Sequence, residues 1–149
     1  MALSYYHDFG VRGICHAVKR NDITAIDVIV DYLTSTEMVD EKSILIPAPQ
    51  HYGFADYTKR ICERIATITQ SQVADILKCY PHESLYKQKL SGGKAHAQFY
   101  LDGKIPEGRL FFVDNVISTG FSFHEARKLI GLNLKPFVYA IDETRYEEA

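Results

Sequence analysis

Apolar residues recur along the chain at two different periods, and the alternation between them lays out the elements. From Val11 to about Leu33 the spacing is helical, interrupted at Asn21-Asp22, where a polar side chain can cap a second helix whose Ile26, Ile29, Val30 and Leu33 share one face. Ser43 to Pro49 then reads as a short apolar strand stopped by prolines, and Ala55 to Thr69 returns to helical spacing through Ile61, Ile65 and Ile68. Val73 to Leu77 predicts a second strand, Arg109 to Ile117 a third and Pro136 to Ile141 a fourth. Strands alternating with helices predict an α/β fold, a mainly parallel central sheet flanked by helices with right-handed crossovers.

The segment from Tyr80 to Gly108 has a different character, rich in Lys, His, Ser and Gly and containing Ser91-Gly-Gly93. Two descriptions fit it: a functional lid, or a structural excursion with a short helix at about Lys94 to Tyr100. The polar stretch from Asp142 to Ala149 reads as a tail or partial lid.

Composition narrows the class. The 149 residues, 46% of them hydrophobic, suit a single domain spanning 1–149 with a real core. A formal net charge of −2 gives no overall electrostatic case for binding nucleic acid or an anionic membrane. The apolar runs are far shorter than the roughly 20 residues that cross a bilayer, and the N-terminus lacks a charged region followed by an apolar core, so a cytoplasmic location is expected. Cys15, Cys62 and Cys79 are widely spaced and odd in number, which reads as reduced thiols. Cys79-Tyr-Pro-His82 has a ligand-like spacing, but a zinc site needs two further ligands nearby.

The chemistry concentrates in Arg109-Leu-Phe-Phe-Val-Asp-Asn-Val-Ile-Ser-Thr-Gly-Phe-Ser122. Leu110 to Val113 suits a strand covered on both faces, and Asp114 and Asn115 follow where polar groups would face the ligand crevice of an open α/β sheet. Ser118, Thr119, Gly120, Phe121 and Ser122 then form a hydroxyl-rich turn. Ser122 and Glu125 have the spacing of a capping box, and Phe123, Ala126, Leu129 and Ile130 follow on one helical face. Backbone N–H groups at such a helix start are suited to hold a phosphate. A plain strand-to-helix turn with a cap is the alternative. A second loop, Ala48-Pro-Gln-His-Tyr-Gly53, offers backbone donors from Gln50 to Gly53 and leads into the next helix.

Phe-Phe-Val-Asp-Asn-Val-Ile-Ser-Thr-Gly-Phe-Ser122 resembles the signature of the type I phosphoribosyltransferases: four apolar residues, two acids, two apolar residues and a Thr-Thr-Gly-x-Thr type loop. The resemblance extends over most of the chain to the phosphoribosyltransferase domain of ComF-like competence proteins. Tyr6 to Arg20 looks like that domain's opening helix, Ile46-Pro-Ala-Pro-Gln-His51 like its Val-Pro-x-Pro strand end, and Gln88-Lys-Leu-Ser91 like the Gln-x-x-Leu-Ser of its basic loop. The zinc-binding cysteines that often precede the domain are absent from this sequence, and Gly53-Phe-Ala-Asp-Tyr57 stands where Arg-Gly-Phe-Asn is usual.

The resemblance implies a Rossmann-like phosphoribosyltransferase fold with a minimal hood. It also implies magnesium-dependent transfer of ribose 5-phosphate from phosphoribosyl pyrophosphate to a nitrogenous acceptor, releasing pyrophosphate. Asp114 and Asn115 would take the ribose, Ser118 to Ser122 the 5-phosphate, and Pro49, Gln50 and His51 the pyrophosphate, with Lys87, Lys89 and Lys94 able to neutralise it. Solvated surface lysines are the plain alternative for those three. Mg²⁺ would be held mainly by the substrate, so no protein metal cage is expected. Asn115 stands where the family usually has its second acid, and an amide brings no charge to a developing oxocarbenium ion. Relatives acting on 6-oxopurines carry an Asp where this chain has Ser118, and a hydroxyl is a poor general base; orotate-type or other acceptors survive. Family analogy also implies a possible homodimer.

The rival reading keeps the fold and discards the chemistry: a catalytically weak or inactive binding or regulatory module, such as a ComF-like accessory of DNA uptake. An unrelated nucleotide-binding domain fits less well, because neither GxGxxG nor GxxxxGK[ST] occurs.

Overall fold

The computed structural model describes residues 4–8, 10–84, 87–88, 92 and 97–142. The elements in chain order are β1 (Ser4–Tyr5), α1 (Val11–Val18), α2 (Ile23–Ser35), β2 (Ser43–Pro47), α3 (Tyr57–Thr69), β3 (Gln72–Val73), β4 (Leu77–Cys79), β5 (Phe99–Leu101), β6 (Arg109–Ile117), α4 (Phe121–Ile130) and β7 (Lys135–Ile141).

Five strands form one sheet in the order β1-β7-β6-β2-β3, and every neighbouring pair is parallel. The fold is thus α/β with a parallel sheet flanked by helices, compatible with a Rossmann-like arrangement. Its apolar strands have two dry faces. On one, Leu45, Phe111, Val113 and Phe137 pack against Cys15 and Val18 of α1, the Ile26, Ile29, Val30 and Leu33 stripe of α2, and Ile61 and Ile65 of α3. On the other, Ile44, Ile46, Leu110, Phe112 and Val138 meet Phe123, Ala126 and Ile130 of α4 and Leu77 of β4. Burial on both sides explains why β2 and the first half of β6 read as unbroken apolar runs.

Local chemistry sets several boundaries. Asp22 ends the first helical stretch and caps α2, its Oδ1 accepting the Ala25 N–H at 2.9 Å. The strand expected from Val73 to Leu77 divides instead. Gln72 and Val73 pair with β2, the chain leaves after the Ala74 N–H bonds Leu45 C=O, and Leu77 begins an antiparallel pair with β5. Asp75 at the break is drawn to Lys59 and Lys78, a polar corner that no continuous core strand would hold. The helix expected at about Lys94 to Tyr100 is corrected in the same region: Phe99 to Leu101 is strand, paired with Leu77 to Cys79, while 93–96 lie outside the described residues. The described residues 77–84 and 97–101 therefore form an arm rooted in a two-stranded antiparallel sheet.

Helix α4 starts two residues earlier than the expected capping box implies. Gly120, in the left-handed region at φ 86°, is the N-cap, so Ser122 lies inside the first turn and caps nothing. Glu125 pairs instead with Lys128 at 2.8 Å. Two expected core positions, Ile68 and Leu129, face solvent.

Candidate functional site at the sheet switch point

Chain direction in the sheet reverses around β2. The connection through α3 places β3 on one side of β2, and the connection through the arm returns to place β6 on the other. In open α/β sheets the crevice lies beyond the carboxyl ends of the strands at such a reversal. Here β2 ends at Pro47, opposite Val113, while β6 runs on to Ile117. Asp114 is thus the first residue of β6 left without a β2 neighbour, half-buried at the root of the crevice.

Three pieces of chain wall this crevice. On the β2 side stands the loop from Ala48 to Asp56. Above β6 lies the turn Ser118-Thr119-Gly120. On the β7 side, the Tyr6 N–H bonds Ile141 C=O at 2.8 Å and the Asp142 N–H bonds Ile117 C=O at 2.7 Å, which brings the chain entering α1 to the same sheet end.

Asp114 and Asn115 are adjacent in sequence but serve different purposes. The Asp114 Oδ1 accepts the Asn115 N–H at 2.8 Å, and its carboxyl is pushed up to about 6 by burial, opposed by that hydrogen bond and by the Lys19 ammonium. Such a carboxyl is ionised at neutral pH yet close enough to exchange a proton. Asn115 is only 2% exposed. Its Nδ2 donates to Cys15 C=O at 3.0 Å, and its Oδ1 accepts from the Tyr57 hydroxyl at 3.3 Å and from the Val116 N–H at 2.9 Å. The amide of Asn115, expected to meet the ribose, joins α1 to the start of α3. An amide is required there because the site presents one acceptor and two donors, which a carboxylate cannot match.

The phosphate turn has an anion-receptive form. The first bond closing α4 runs from the His124 N–H to Gly120 C=O at 2.9 Å, so the N–H groups of Phe121, Ser122 and Phe123 precede it. That of Phe121 meets Thr119 Oγ1 at 3.4 Å, while those of Ser122 and Phe123 have no acceptor among the described residues. Ser118, Thr119, Phe121 and Ser122 are half-buried, and Gly120 is buried.

The loop after β2 is more committed to its own structure than expected. Of its backbone donors, the Gln50 N–H bonds Phe54 C=O and the Gly53 N–H bonds Gln50 C=O, both at 3.0 Å. The Gln50 side chain bridges Ala48 C=O at 3.1 Å and the Asp56 N–H at 2.5 Å, so it braces the loop rather than facing the crevice. Gly53, at φ 124°, passes so close to the arm that a Cβ would lie 3.2 Å from Cys79 C=O. Of the four expected donors, the His51 N–H and Tyr52 N–H have no acceptor among the described residues. The His51 ring meets His82 C=O at 3.2 Å and Pro49 is half-buried.

Lys87 is exposed, and its backbone N–H bonds Ser84 Oγ at 3.2 Å. Lys89 and Lys94 lie outside the described residues, as does the tail from 143 to 149. The structure thus gathers Asp114, the Ser118 to Ser122 turn and the Pro49 to His51 loop at one sheet end, and among the described residues Lys87 makes no side-chain contact with them.

Sequence reasoning passed over Lys19 and Tyr57. The Tyr57 hydroxyl is held far above its ordinary titration by burial, then by Asp114. The Lys19-Arg20 pair closing a short helix was the one available signal for the first; Tyr57 lies in an unremarkable helix start.

No family model matches the chain, and no curated protein shows a significant similarity to it. Among the described residues no helix is long and apolar enough to cross a membrane.

Proposed function

We propose that the chain is a phosphoribosyltransferase of type I fold with a minimal hood, transferring ribose 5-phosphate from phosphoribosyl pyrophosphate to a nitrogenous acceptor. The observation that carries this reading is the coincidence of Asp114, paired with β7 but left without a β2 neighbour at the switch point, with the Ser-Thr-Gly turn that opens α4 a few residues later. The carboxylate suits the ribose hydroxyls, and the N–H groups of Ser122 and Phe123 suit the 5-phosphate. The His51 and Tyr52 N–H groups remain for pyrophosphate.

A substrate-held Mg²⁺ fits these residues. Asp114 offers one carboxylate, whose Oδ1 accepts the Asn115 N–H. When bound, the ion neutralises charge on the departing pyrophosphate. The chain's own contribution is to hold the sugar by Asp114, anchor its phosphate at α4, and keep the strand end rigid through Asn115.

The inward-facing Asn115 favours a second reading, in which the same crevice binds the sugar phosphate but catalyses weakly, as a sensor or accessory module. Calorimetric titration of phosphoribosyl pyrophosphate, with and without Mg²⁺, into wild type and Asp114→Ala tests the common element. Micromolar binding that weakens at least about tenfold in the variant is expected. Equal binding by both proteins, or none by wild type, would remove both readings; pyrophosphate release on adding a base separates enzyme from sensor.

A further inference from the structure

The described cations of α1 do not behave like an ordinary solvated face. Arg12, His16 and Lys19 fall within about 60° of one another around the helix at 3.6 residues per turn, on the flank next to buried Cys15. Cys15 is the residue whose carbonyl meets Asn115 at the crevice root. The Tyr6 hydroxyl lies 2.7 Å from His16 Nε2, and the Arg12 guanidinium stands 5.8 Å over the Tyr6 ring. Tyr6 itself is tied to the end of β7. These contacts fix Arg12 and His16 beside the carboxyl ends of β6 and β7.

Among the described residues neither Arg12 nor Lys19 is held in an ion pair, and His16 contributes a neutral ring rather than a charge. The described ion pairs engage Lys59, Arg64, Lys78, Arg109, Lys128 and His7, but not Arg12, Lys19 or Arg20. His16 is held below its ordinary titration by burial, then by Lys19, Arg12 and Arg20, with no acid offsetting them. Of the described acids, Asp114 feels the Lys19 ammonium, Asp142 is directed to His7 at 3.3 Å, and Asp8 precedes the helix, its carbonyl accepting the Val11 N–H at 3.2 Å. A positive flank on the wall of a crevice, with Arg12 and Lys19 outside every ion pair of the described residues, attracts an oxyanion and repels a cation.

We propose that Arg12, His16 and Lys19 form an oxyanion site for the crevice's second ligand, a small molecule carrying a carboxylate or phosphate. Its role as acceptor site rests on the phosphoribosyl reading; the anion site itself does not. Arg12 supplies a forked donor, Lys19 a mobile ammonium, and His16, whose Nε2 is committed to Tyr6, a fixed ring edge. A neutral base would gain nothing from this flank, so the acceptor is expected to be anionic.

Two-dimensional NMR titration of the full chain with inorganic phosphate, benzoate and its neutral isostere benzamide tests this. Saturable shifts centred on residues 11–20 are expected with either anion or both, none with benzamide, and an affinity at least about tenfold lower in Arg12→Gln/Lys19→Gln. Both substituted side chains are exposed, and thermal melts verify that the variant folds. Phosphate alone would make the ligand phosphate-bearing; benzoate as well would admit carboxylates. Shifts that miss α1, that benzamide reproduces, or that survive the double substitution would overturn the site. Phosphoribosyl pyrophosphate binding is measured in parallel: its loss in Asp114→Ala but retention in the double variant supports both sites, and its absence from wild type beside an intact α1 response removes only the acceptor role.

Discussion

Two neighbouring residues, Asp114 and Asn115, carry opposite relations to solvent, and each relation makes a prediction. Asn115→Asp would restore the acid usual at this position in the resembled family, yet it would face Cys15 C=O with an acceptor and bury a charge without a counterion. A loss of about 2–4 kcal/mol is expected, read by urea denaturation. An unchanged midpoint would show that the amide does not hold α1. Asp114 has the reverse effect. Its carboxyl titrates at about 6 in the folded chain against 3.8 ordinarily, so the folded state holds its proton over a window in which the unfolded state has lost it. Stability therefore falls as pH rises from about 4 to 6 and stays lowered above, by at most about 3 kcal/mol and by less where solvent reaches the group. Asp114→Asn keeps the acceptor for the Asn115 N–H and removes the charge. Its denaturation midpoint is expected to exceed that of wild type at pH 7 and to converge with it at about pH 4; parallel curves across this range would contradict the placement of Asp114.

Elements were legible where burial repeated over several turns or strand residues. The α2 stripe, β2, β6 and β7 follow from the apolar pattern because two-sided burial leaves no other use for Leu110 to Val113 or Phe137 to Ala140. The misses have physical causes. Ser4–Tyr5 and Gln72–Val73 are strands of two residues each, too short for any period to register. Leu77 lies in the apolar run with Val73, but its partner, Leu101, is set by a pairing remote in sequence. The capping box at Ser122 matched a spacing, whereas Gly120 could take a left-handed φ and start the helix sooner. At the candidate site, strand and turn were readable from order alone. What Asn115 and Gln50 bond to was not, because an amide facing a ligand and one bracing a loop have the same letter. Donor accounting in three dimensions separates them: every polar atom of Gln50 and Asn115 that the loop and helices need is already engaged.

Across the molecule the crevice loop and the arm are one mechanical unit. The Cys79 N–H bonds Gly53 C=O at 3.0 Å, the His82 N–H bonds His51 C=O at 2.8 Å, and the Cys79 Sγ donates to Gln50 C=O at 3.1 Å. The arm is otherwise held by its two-stranded sheet and by Leu77, Phe99 and Leu101 in the smaller core cluster, whereas α3, which carries Cys62, lies within the larger one. Local opening that releases the arm is thus expected to cost less than opening α3. All three thiols are free and buried, and burial raises each above its ordinary titration, Cys15 to about 12, so modification must await such opening. In native protein Cys79 is expected to react first with a thiol reagent and Cys62 more slowly, near the global unfolding rate. A ligand seated against the His51 and Tyr52 N–H groups would hold the loop and, through Gly53 and His51, the arm, so phosphoribosyl pyrophosphate with Mg²⁺ is expected to slow Cys79 modification severalfold and leave Cys62 unchanged. Mass spectrometry of timed labelling reads both rates. Cys62 reacting as fast as Cys79 would dissolve the mechanical unit, and equal slowing of both thiols would mean that the ligand stabilises the whole fold without acting through the loop.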